Sequence, residues 1–316
     1  MKMKTLISIL ILGICSNIIM ADELAEPNIQ LKSVVKSYSD RQHFGNPTGI
    51  YLDPIKHEIY LADAGNHQIG IFDMRGTTLW SFKHWVSDSR TAERILGDPH
   101  SVVVTSSGDI IVSDNKADYL EVFDYRGNPL QQIKPEDFSD CASFKGAALA
   151  LDKSDNLYIG TKAVKMEILK LDADYQLVLR FGEIGDKPEN FTGLSGIWVE
   201  SDGSILVTDE LAVPVVKKFG PDGTYISGFG DHTVEKNDFS LACGVATTAG
   251  GRVWVADQLR QVVKCVTPDG KFITMIGGLG NQPGDLSYPS AVTSDGDSLL
   301  IIAEKNGNRF QEFVIR

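Results

Sequence analysis

Short stretches in which apolar and polar residues alternate recur along the chain, and they come in groups of four. In the first group they are GIYLD, EIYLAD, QIGIFD and TLWSFKHW, with the turn sequence DMRG before the last. A period of two residues over four to eight positions predicts half-buried β-strands. The Gly in that turn supplies the positive φ that tight hairpins require. Each group therefore predicts a small antiparallel sheet of strands a, b, c and d.

This group of four strands is written six times. The last residue of strand b recurs at steps of 51, 47, 48, 48 and 47 residues, at Asp63, Asp114, Thr161, Asp209, Asp257 and Glu304. Such a period with short strands is typical of a β-propeller, with one four-stranded blade per repeat. We therefore predict an all-β, six-bladed propeller with strand a at the central channel and strand d outermost.

The predicted blades span about 44–86, 96–134, 142–182, 191–230, 239–278 and 286–316. The last copy stops after three strands, at Arg316. We expect residues 28–40, before the first full copy, to supply its missing fourth strand. Such a shared blade closes the ring and removes an open sheet edge.

The first copy, PTGIYLD…EIYLADAGNHQIGIFDMRG, resembles the NHL repeat through its GNH and FD..G motifs. Other copies match less well: blade 3 has Thr161 in place of the strand-b acid, and blade 6 has NGN in place of GNH. The resemblance covers residues 22–316 and implies a six-bladed NHL-type propeller. That family contains interaction and RNA-binding modules, sensor domains and a few enzymes, so it implies no single activity.

The first 21 residues have the pattern of a cleaved signal peptide. Lys2 and Lys4 precede an apolar run over 6–14, and Ala21 can precede the cleavage site. We therefore expect a secreted or periplasmic protein, and no later stretch is apolar for long enough to span a membrane. Loss of the two lysines lowers the formal charge from −12 to −14, which disfavours nucleic-acid binding. We expect a monomer whose partner is a protein or a small polar ligand.

The acids that end strand b are predicted to be mainly structural, because Asp at the start of a turn accepts backbone N–H bonds from the following loop. The alternative is a ring of carboxylates that binds Ca²⁺. Three cysteines remain after cleavage: Cys141, Cys243 and Cys265. Cys243 and Cys265 fall on strands a and c of one blade, with strand b between them, so we expect them to be too far apart for a disulfide.

The residue just before strand a is the strongest candidate for a functional position. It should lie at the channel mouth, and it differs chemically from blade to blade. A residue that only supports the fold would be expected to repeat. The predicted ring consists of Thr48, His100, Lys145, Ser195, Cys243 and Ser290.

The loops between strands b and c vary most and should lie on the same face as that ring. Their polar and charged residues suit a polar ligand or a protein loop, and we select Lys116 and Arg260 as binding candidates. The full set is Asn115, Lys116, Lys162, Glu210, Gln258, Arg260, Lys305 and Asn306. His43, His84 and His232 fall in the connections from strand d to the next strand a, and we expect them to be solvated loop residues.

His100 raises the possibility of an enzyme. The segment PHS at 99–101 resembles a segment of the lyase that cleaves peptidyl-α-hydroxyglycine, where such a histidine binds zinc. That lyase uses three channel histidines, whereas the other ring positions here offer none, and a catalytic zinc normally has three protein ligands. Two hypotheses follow: a binding module that uses the channel mouth, and a metal-dependent lyase or hydrolase centred on His100, with Zn²⁺ or Ca²⁺ as candidate metals.

Overall fold

A computed structural model describes residues 24–88, 91–141, 143–162 and 165–316. The predicted signal peptide lies outside these residues. Six four-stranded antiparallel sheets form the blades of a β-propeller, which confirms the predicted fold class. Within the described ranges there is no α-helix, only 3-10 turns at Pro135–Asp137 and Ala249–Gly251. No described helix is long and apolar enough to cross a bilayer.

The strands of the first three blades follow one another in chain order from a to d. Blade 1 contains Pro47–Asp53, Glu58–Asp63, Gln68–Asp73 and Thr78–Lys83. Blade 2 contains Pro99–Val104, Ile110–Asp114, Leu120–Phe123 and Pro129–Ile133. Blade 3 contains Ala148–Leu151, Leu157–Gly160, Ile168–Leu171 and Leu177–Phe181.

Blades 4 and 5 have the same order, and blade 6 takes its outer strand from the start of the chain. Blade 4 contains Leu194–Val199, Ile205–Asp209, Val216–Phe219 and Tyr225–Phe229. Blade 5 contains Ala242–Thr248, Arg252–Asp257, Val262–Val266 and Phe272–Gly277. Blade 6 contains Pro289–Ser294, Leu299–Glu304, Arg309–Ile315 and Ile29–Val35.

The N-terminal strand closes the ring as predicted. Ile29–Val35 pairs antiparallel with Arg309–Ile315, and the backbones of Asn28 and Arg316 exchange hydrogen bonds of 2.7 and 2.9 Å. The pairing is shorter than residues 28–40. Ser37–Ser39 leaves the blade and forms a two-stranded hairpin with Gln42–His43. A second small hairpin joins Trp85–Ser87 to Arg94–Leu96.

Each interface between neighbouring blades contains its own apolar cluster, so the core is divided into six layers around the ring. Strands b and c are packed on both faces and are buried almost throughout, whereas strand d is largely exposed. The predicted half-buried pattern therefore fits strand d better than strand b, which is buried on both faces. The Gly turns between strands c and d adopt the expected positive φ, for example 78° at Gly76 and 84° at Gly127.

Candidate functional site

The strands a surround a central channel that contains two cavities. The upper cavity, of about 290 Å³, opens on the face that carries the b–c loops, and its wall is mostly polar. The lower cavity, of about 430 Å³, opens on the opposite face and is mostly apolar. The two meet at a waist formed by the residues that line both, Ile50, Ser101, Leu149, Ile197 and Val292.

The upper mouth carries an inner ring of strand-a residues, one from each blade. Each of its polar members sits at a register shift in the pairing of strands a and b, and such a bulge redirects a side chain. Five predicted residues line this mouth: Thr48, His100, Ser195, Cys243 and Ser290. Their role in ligand binding stays a prediction.

Four inner-ring residues share a structural task, although they differ chemically. Each donates a hydrogen bond to a backbone carbonyl of the next blade: Thr48 Oγ1 to Pro99 at 2.7 Å, Ser195 Oγ to Ala242 at 2.8 Å, Cys243 Sγ to Pro289 at 3.1 Å and Ser290 Oγ to Pro47 at 2.8 Å. The same atoms lie 3.1 to 3.5 Å from a strand-b carbonyl of their own blade. Their variety therefore reflects one requirement, for a small donor.

His100 is the exception in the inner ring. In blade 2 the bridge to the next blade is made by Ser113 instead, whose Oγ donates to the Ala147 carbonyl at 2.7 Å. The imidazole is thereby released from the structural task. Its Nε2 lies 3.2 Å from Nζ of Lys162, in the b–c loop of the neighbouring blade.

The electrostatic surroundings of His100 keep its ring neutral. Burial and, to a lesser extent, the positive charges of Lys162 and Lys305 together lower its pKa to about 3, against the opposing effect of Asp114. A neutral imidazole beside an ammonium group accepts a hydrogen bond at Nε2, so its own proton belongs on Nδ1. The pKa of Lys162 is also lowered, chiefly by burial.

A second set of residues, the loop ring, follows the strand-b position directly. Its polar members line the upper mouth from five blades: Asn115, Lys162, Glu210, Gln258 and Lys305. In blade 1 the equivalent Ala64 is buried. Burial raises the pKa of Glu210, while Lys162 opposes that shift. Within the described ranges Lys162 has no carboxylate partner within 4.0 Å, so its charge is available to a ligand.

Lys145 does not join the inner ring, so that part of the prediction is wrong. Its side chain is exposed, and its backbone N–H donates to Ser143 Oγ at 3.1 Å. In blade 3 Ala148 pairs with Gly160 as Gly49 pairs with Ala62 in blade 1. The blade therefore starts two residues later than the alignment assumed, and the buried Ala147 takes the ring position.

Lys116 and Arg260 also lie outside the upper cavity, because both side chains are held by the d–a connections. Lys116 Nζ donates to the Leu96 carbonyl at 2.9 Å. Arg260 Nε donates to Ser240 Oγ at 2.9 Å and lies 3.5 Å from an oxygen of Asp257. The sequence placed both in the correct loops, but the position next to the strand-b acid, one or two residues earlier, is the one that faces the channel.

The strand-b acids make the predicted structural contacts. Asp209 accepts the Ala212 N–H of its own loop at 3.2 Å and the Thr192 N–H of the preceding d–a connection at 2.9 Å. Asp114 has an additional partner. His84, expected to be solvated, is fully buried, and its Nε2 lies 3.1 Å from Asp114 Oδ2. That expectation was wrong because the d–a connection folds back over strand b.

Cys243 and Cys265 lack the features of a catalytic nucleophile. Burial raises the pKa of Cys243 to about 12, with a further contribution from Asp257, so its thiol remains protonated. Cys265 is buried, and burial raises its pKa to about 12. Cys243 and Cys265 do not form a disulfide with each other, as expected for residues separated by strand b.

A metal centre does not fit the mouth. The described part of the chain contains no group of three or more His, Cys, Asp or Glu side chains close enough to share an ion. The nitrogen of His100 that faces the channel contacts the ammonium group of Lys162 instead. A positive charge at this distance opposes a metal cation, so the residues present suit an anion better.

No protein-family profile matches this chain, and no curated protein is a significant match in sequence. Many solved structures share its fold. A protein of unknown function from Bacteroides thetaiotaomicron has 14% identity and a TM-score of 0.66, covering 92% of this chain and 77% of its own. A streptogramin B lyase has 14% identity and a TM-score of 0.58, covering 92% and 98%.

A third similar structure, a putative gluconolactonase, has 13% identity and a TM-score of 0.59, and the match covers 92% of both chains. Sequence identities this low are evidence for a shared fold and not for a shared activity. Because no family profile matches, the NHL family suggested by the repeat motifs is not confirmed. The chain is therefore a six-bladed β-propeller whose fold also occurs in proteins of the lyase and lactonase type.

Proposed function

We propose that this protein is a binding module that holds a small anionic ligand in the upper mouth of its channel. The observation that carries the proposal is the Lys162 ammonium, 3.2 Å from the neutral ring of His100 and without a described carboxylate partner. Glu210 acts on this partly buried ammonium only from beyond 4.0 Å, so a ligand carboxylate or phosphate in direct contact would compensate its charge better.

The rest of the mouth supports the same ligand class. Lys305 adds a second positive charge, and Asn115 and Gln258 offer amide donors from the same loop ring. Glu210 is the one acidic member, and burial raises its pKa. A cavity of about 290 Å³ suits a small molecule. The chain has a formal charge of −12, and the positive charges of the upper mouth contrast with it. They would attract anions to this part of the surface.

The proposal also includes export of the protein and an NHL-type repeat. The pattern at residues 1–21 supports a secreted or periplasmic location, and GNH and FD..G support an NHL-type repeat. The overall negative charge argues against nucleic acid as the partner. We take the working form to be a monomer, since the ring is closed by its own N-terminal strand.

The test compares D-glucuronate with D-glucose, which share a ring and differ in the carboxylate, and adds inorganic phosphate as a second anion. Isothermal titration of the wild-type protein should show at least one anion binding about tenfold or more tighter than glucose, because a charge-assisted hydrogen bond contributes about 1.5–3 kcal/mol. Lys162→Met should abolish that preference. Lys145→Met removes the same charge outside the mouth and should bind as the wild type does.

The proposal fails if neither anion is preferred over glucose, or if Lys162→Met keeps the preference. The competing hypothesis of a metal-dependent lyase or hydrolase at His100 is tested by metal analysis of the purified mature protein and of His100→Ala. Stoichiometric Zn²⁺ or Ca²⁺ in the wild type that is lost in His100→Ala would favour the enzyme. Equal metal content in the two proteins would show that His100 is not a metal ligand.

A further inference from the structure

The lower cavity of the channel differs from the upper mouth in size and chemistry. It is larger, about 430 Å³, and its wall is formed by the lower halves of the strands a and by the turns that follow them. Aliphatic side chains dominate the wall, among them Leu149, Leu151, Val199 and Val292. A concave apolar cavity with a few polar groups is the usual form of a small-molecule site.

Two aromatic residues in this wall are suited to hold a ligand. The ring of Trp198 is fixed by its Nε1–H, which donates to Thr247 Oγ1 at 2.9 Å. The hydroxyl of Tyr51 has no hydrogen-bond partner in the described part of the chain, although burial and the nearby carboxylates of Asp53 and Asp155 raise its pKa and keep it protonated. A polar atom left unpaired at an apolar cavity would gain a partner from a ligand.

The rim of the lower cavity is acidic. Asp152 and Glu200 are neutralised by lysines, with Lys170 at 3.5 Å and Lys218 at 2.6 Å. Asp202 and Asp295, by contrast, have no cation within 4.0 Å among the described residues.

Asp295 uses only Oδ1 for the N–H groups of its turn, whereas Asp202 accepts the Ser204 N–H at Oδ1 and a further hydrogen bond from the Ser204 side chain. Oδ2 of Asp295 has no partner in the described part of the chain and can accept a hydrogen bond at the rim. Lys153 is the one lysine in the wall, and it donates weakly to the Ser201 carbonyl at 3.4 Å. Two unpaired carboxylates outweigh this single positive charge.

We propose that the lower cavity is a second binding site, for a small molecule with an apolar body of about one ring and a cationic amine. The body would pack on the aliphatic wall and the face of Trp198, where burial of apolar surface contributes about 25 cal/mol per Å². The amine would lie near the indole at the acidic rim, where the hydroxyl of Tyr51 and the carboxylates of Asp202 and Asp295 offer acceptors. This site is independent of the anion site proposed for the upper mouth.

The test uses three probes with the same body: 4-phenylbutylamine, 4-phenylbutan-1-ol and 4-phenylbutyrate. By isothermal titration of the full-length protein, the amine should bind tightest, by about fivefold or more over the alcohol, and the carboxylate weakest, because the charged head supplies on the order of 1 kcal/mol. The double variant Asp202→Asn, Asp295→Asn keeps the Oδ1 acceptors of the turns and should reduce the preference for the amine to about twofold or less.

Matched controls separate this site from the general acidity of the chain and from the upper mouth. Asp222→Asn removes a carboxylate that serves a similar turn, accepting the Thr224 N–H at 3.0 Å, outside the cavity. It should leave amine binding unchanged, as should Lys162→Met. Tyr51→Phe deletes a hydroxyl that has no partner among the described residues and should weaken binding of the amine with little effect on stability.

The proposal is overturned if the amine binds no better than the carboxylate. It is also overturned if Asp222→Asn weakens amine binding as much as the double variant does. Loss of amine binding in Lys162→Met would place the probe in the upper mouth and would likewise count against a second site.

Discussion

At the scale of single residues, most polar side chains of the inner ring hold neighbouring blades together, and His100 does not. Thr48, Ser195, Cys243 and Ser290 donate to the next blade, and these bonds explain why small donors occupy those positions. In blade 2 Ser113 takes over the bridge. His100 is thereby free to meet Lys162, and this pair is the chemically distinctive feature of the molecule.

The pKa of His100 leads to a prediction for the pH dependence of stability. In the unfolded chain a histidine titrates near pH 6.5, whereas in the fold its pKa is about 3. Between these values the unfolded state binds more protons, so stability falls as the pH falls through this window. Urea unfolding at pH 7 and pH 4.5 should show a smaller loss in His100→Gln than in the wild type.

For this comparison His43→Gln is the control, because His43 is exposed and outside the upper cavity. It should retain the full pH dependence of the wild type. An identical loss of stability in wild type and His100→Gln would contradict a His100 ring that stays neutral in the fold.

The bridging role of Ser195 predicts a measurable cost on its removal. Its Oγ lies 2.8 Å from the Ala242 carbonyl and 3.0 Å from Thr208 Oγ1. Ser195→Ala should lower the free energy of unfolding by about 1 kcal/mol, since one partly buried hydrogen bond is lost. The exposed Ser227 of strand d makes no side-chain hydrogen bond to another residue in the described part of the chain, so Ser227→Ala should change stability by less than about 0.5 kcal/mol. Equal effects of the two substitutions would argue against the bridge.

At the scale of elements, the closing strand Ile29–Val35 determines whether the ring is complete. Without it, the strand Arg309–Ile315 would become an open edge beside buried residues such as Phe310 and Phe313. An exposed edge of this kind loses its backbone partners and invites aggregation. The neighbouring hairpin at Ser37–Ser39 contributes separately, because Tyr38 stacks on Phe72 at 5.6 Å in the interface of blades 6 and 1.

A chain that begins at residue 37 keeps that hairpin and lacks only the closing strand. We expect its melting temperature to fall by about 10 °C or more, because several kcal/mol of pairing and burial are lost at about 2–4 °C per kcal/mol. A chain that begins at residue 28 keeps the strand and is the control. Calorimetry of the two should show the difference, and equal melting temperatures would mean that closure by this strand contributes little.

At the scale of the whole molecule, the six-fold repetition produces one continuous channel with two different ends. The upper end gathers the b–c loops and presents Lys162, Lys305 and His100, whereas the lower end is apolar within and acidic at its rim. The scaffold is nearly symmetric, so the difference between the two ends arises from single residues at which one blade differs from the others. Two ligand classes of opposite charge at the two ends are the functional consequence that we propose.

The repeat period and the Gly turns were sufficient to predict six blades and the shared closing strand, because these features depend on local pattern and on the need to cover a sheet edge. The same local reasoning placed five of six residues at the mouth and failed at Lys145, where blade 3 begins two residues later than its alignment suggests. It also reached the correct loops but selected Lys116 and Arg260 over their channel-facing neighbours.

Only the tertiary structure decided which polar residues are engaged and which are free. Three of these decisions rest on contacts between distant parts of the chain. Ser113 replaces His100 in the bridge, His84 is buried against Asp114, and Lys162 reaches His100. They depend on strand register and on distances across blade interfaces, which no periodic pattern encodes. The sequence by itself thus determined the ring of blades, and the packing of neighbouring blades determined which side chains remain for chemistry.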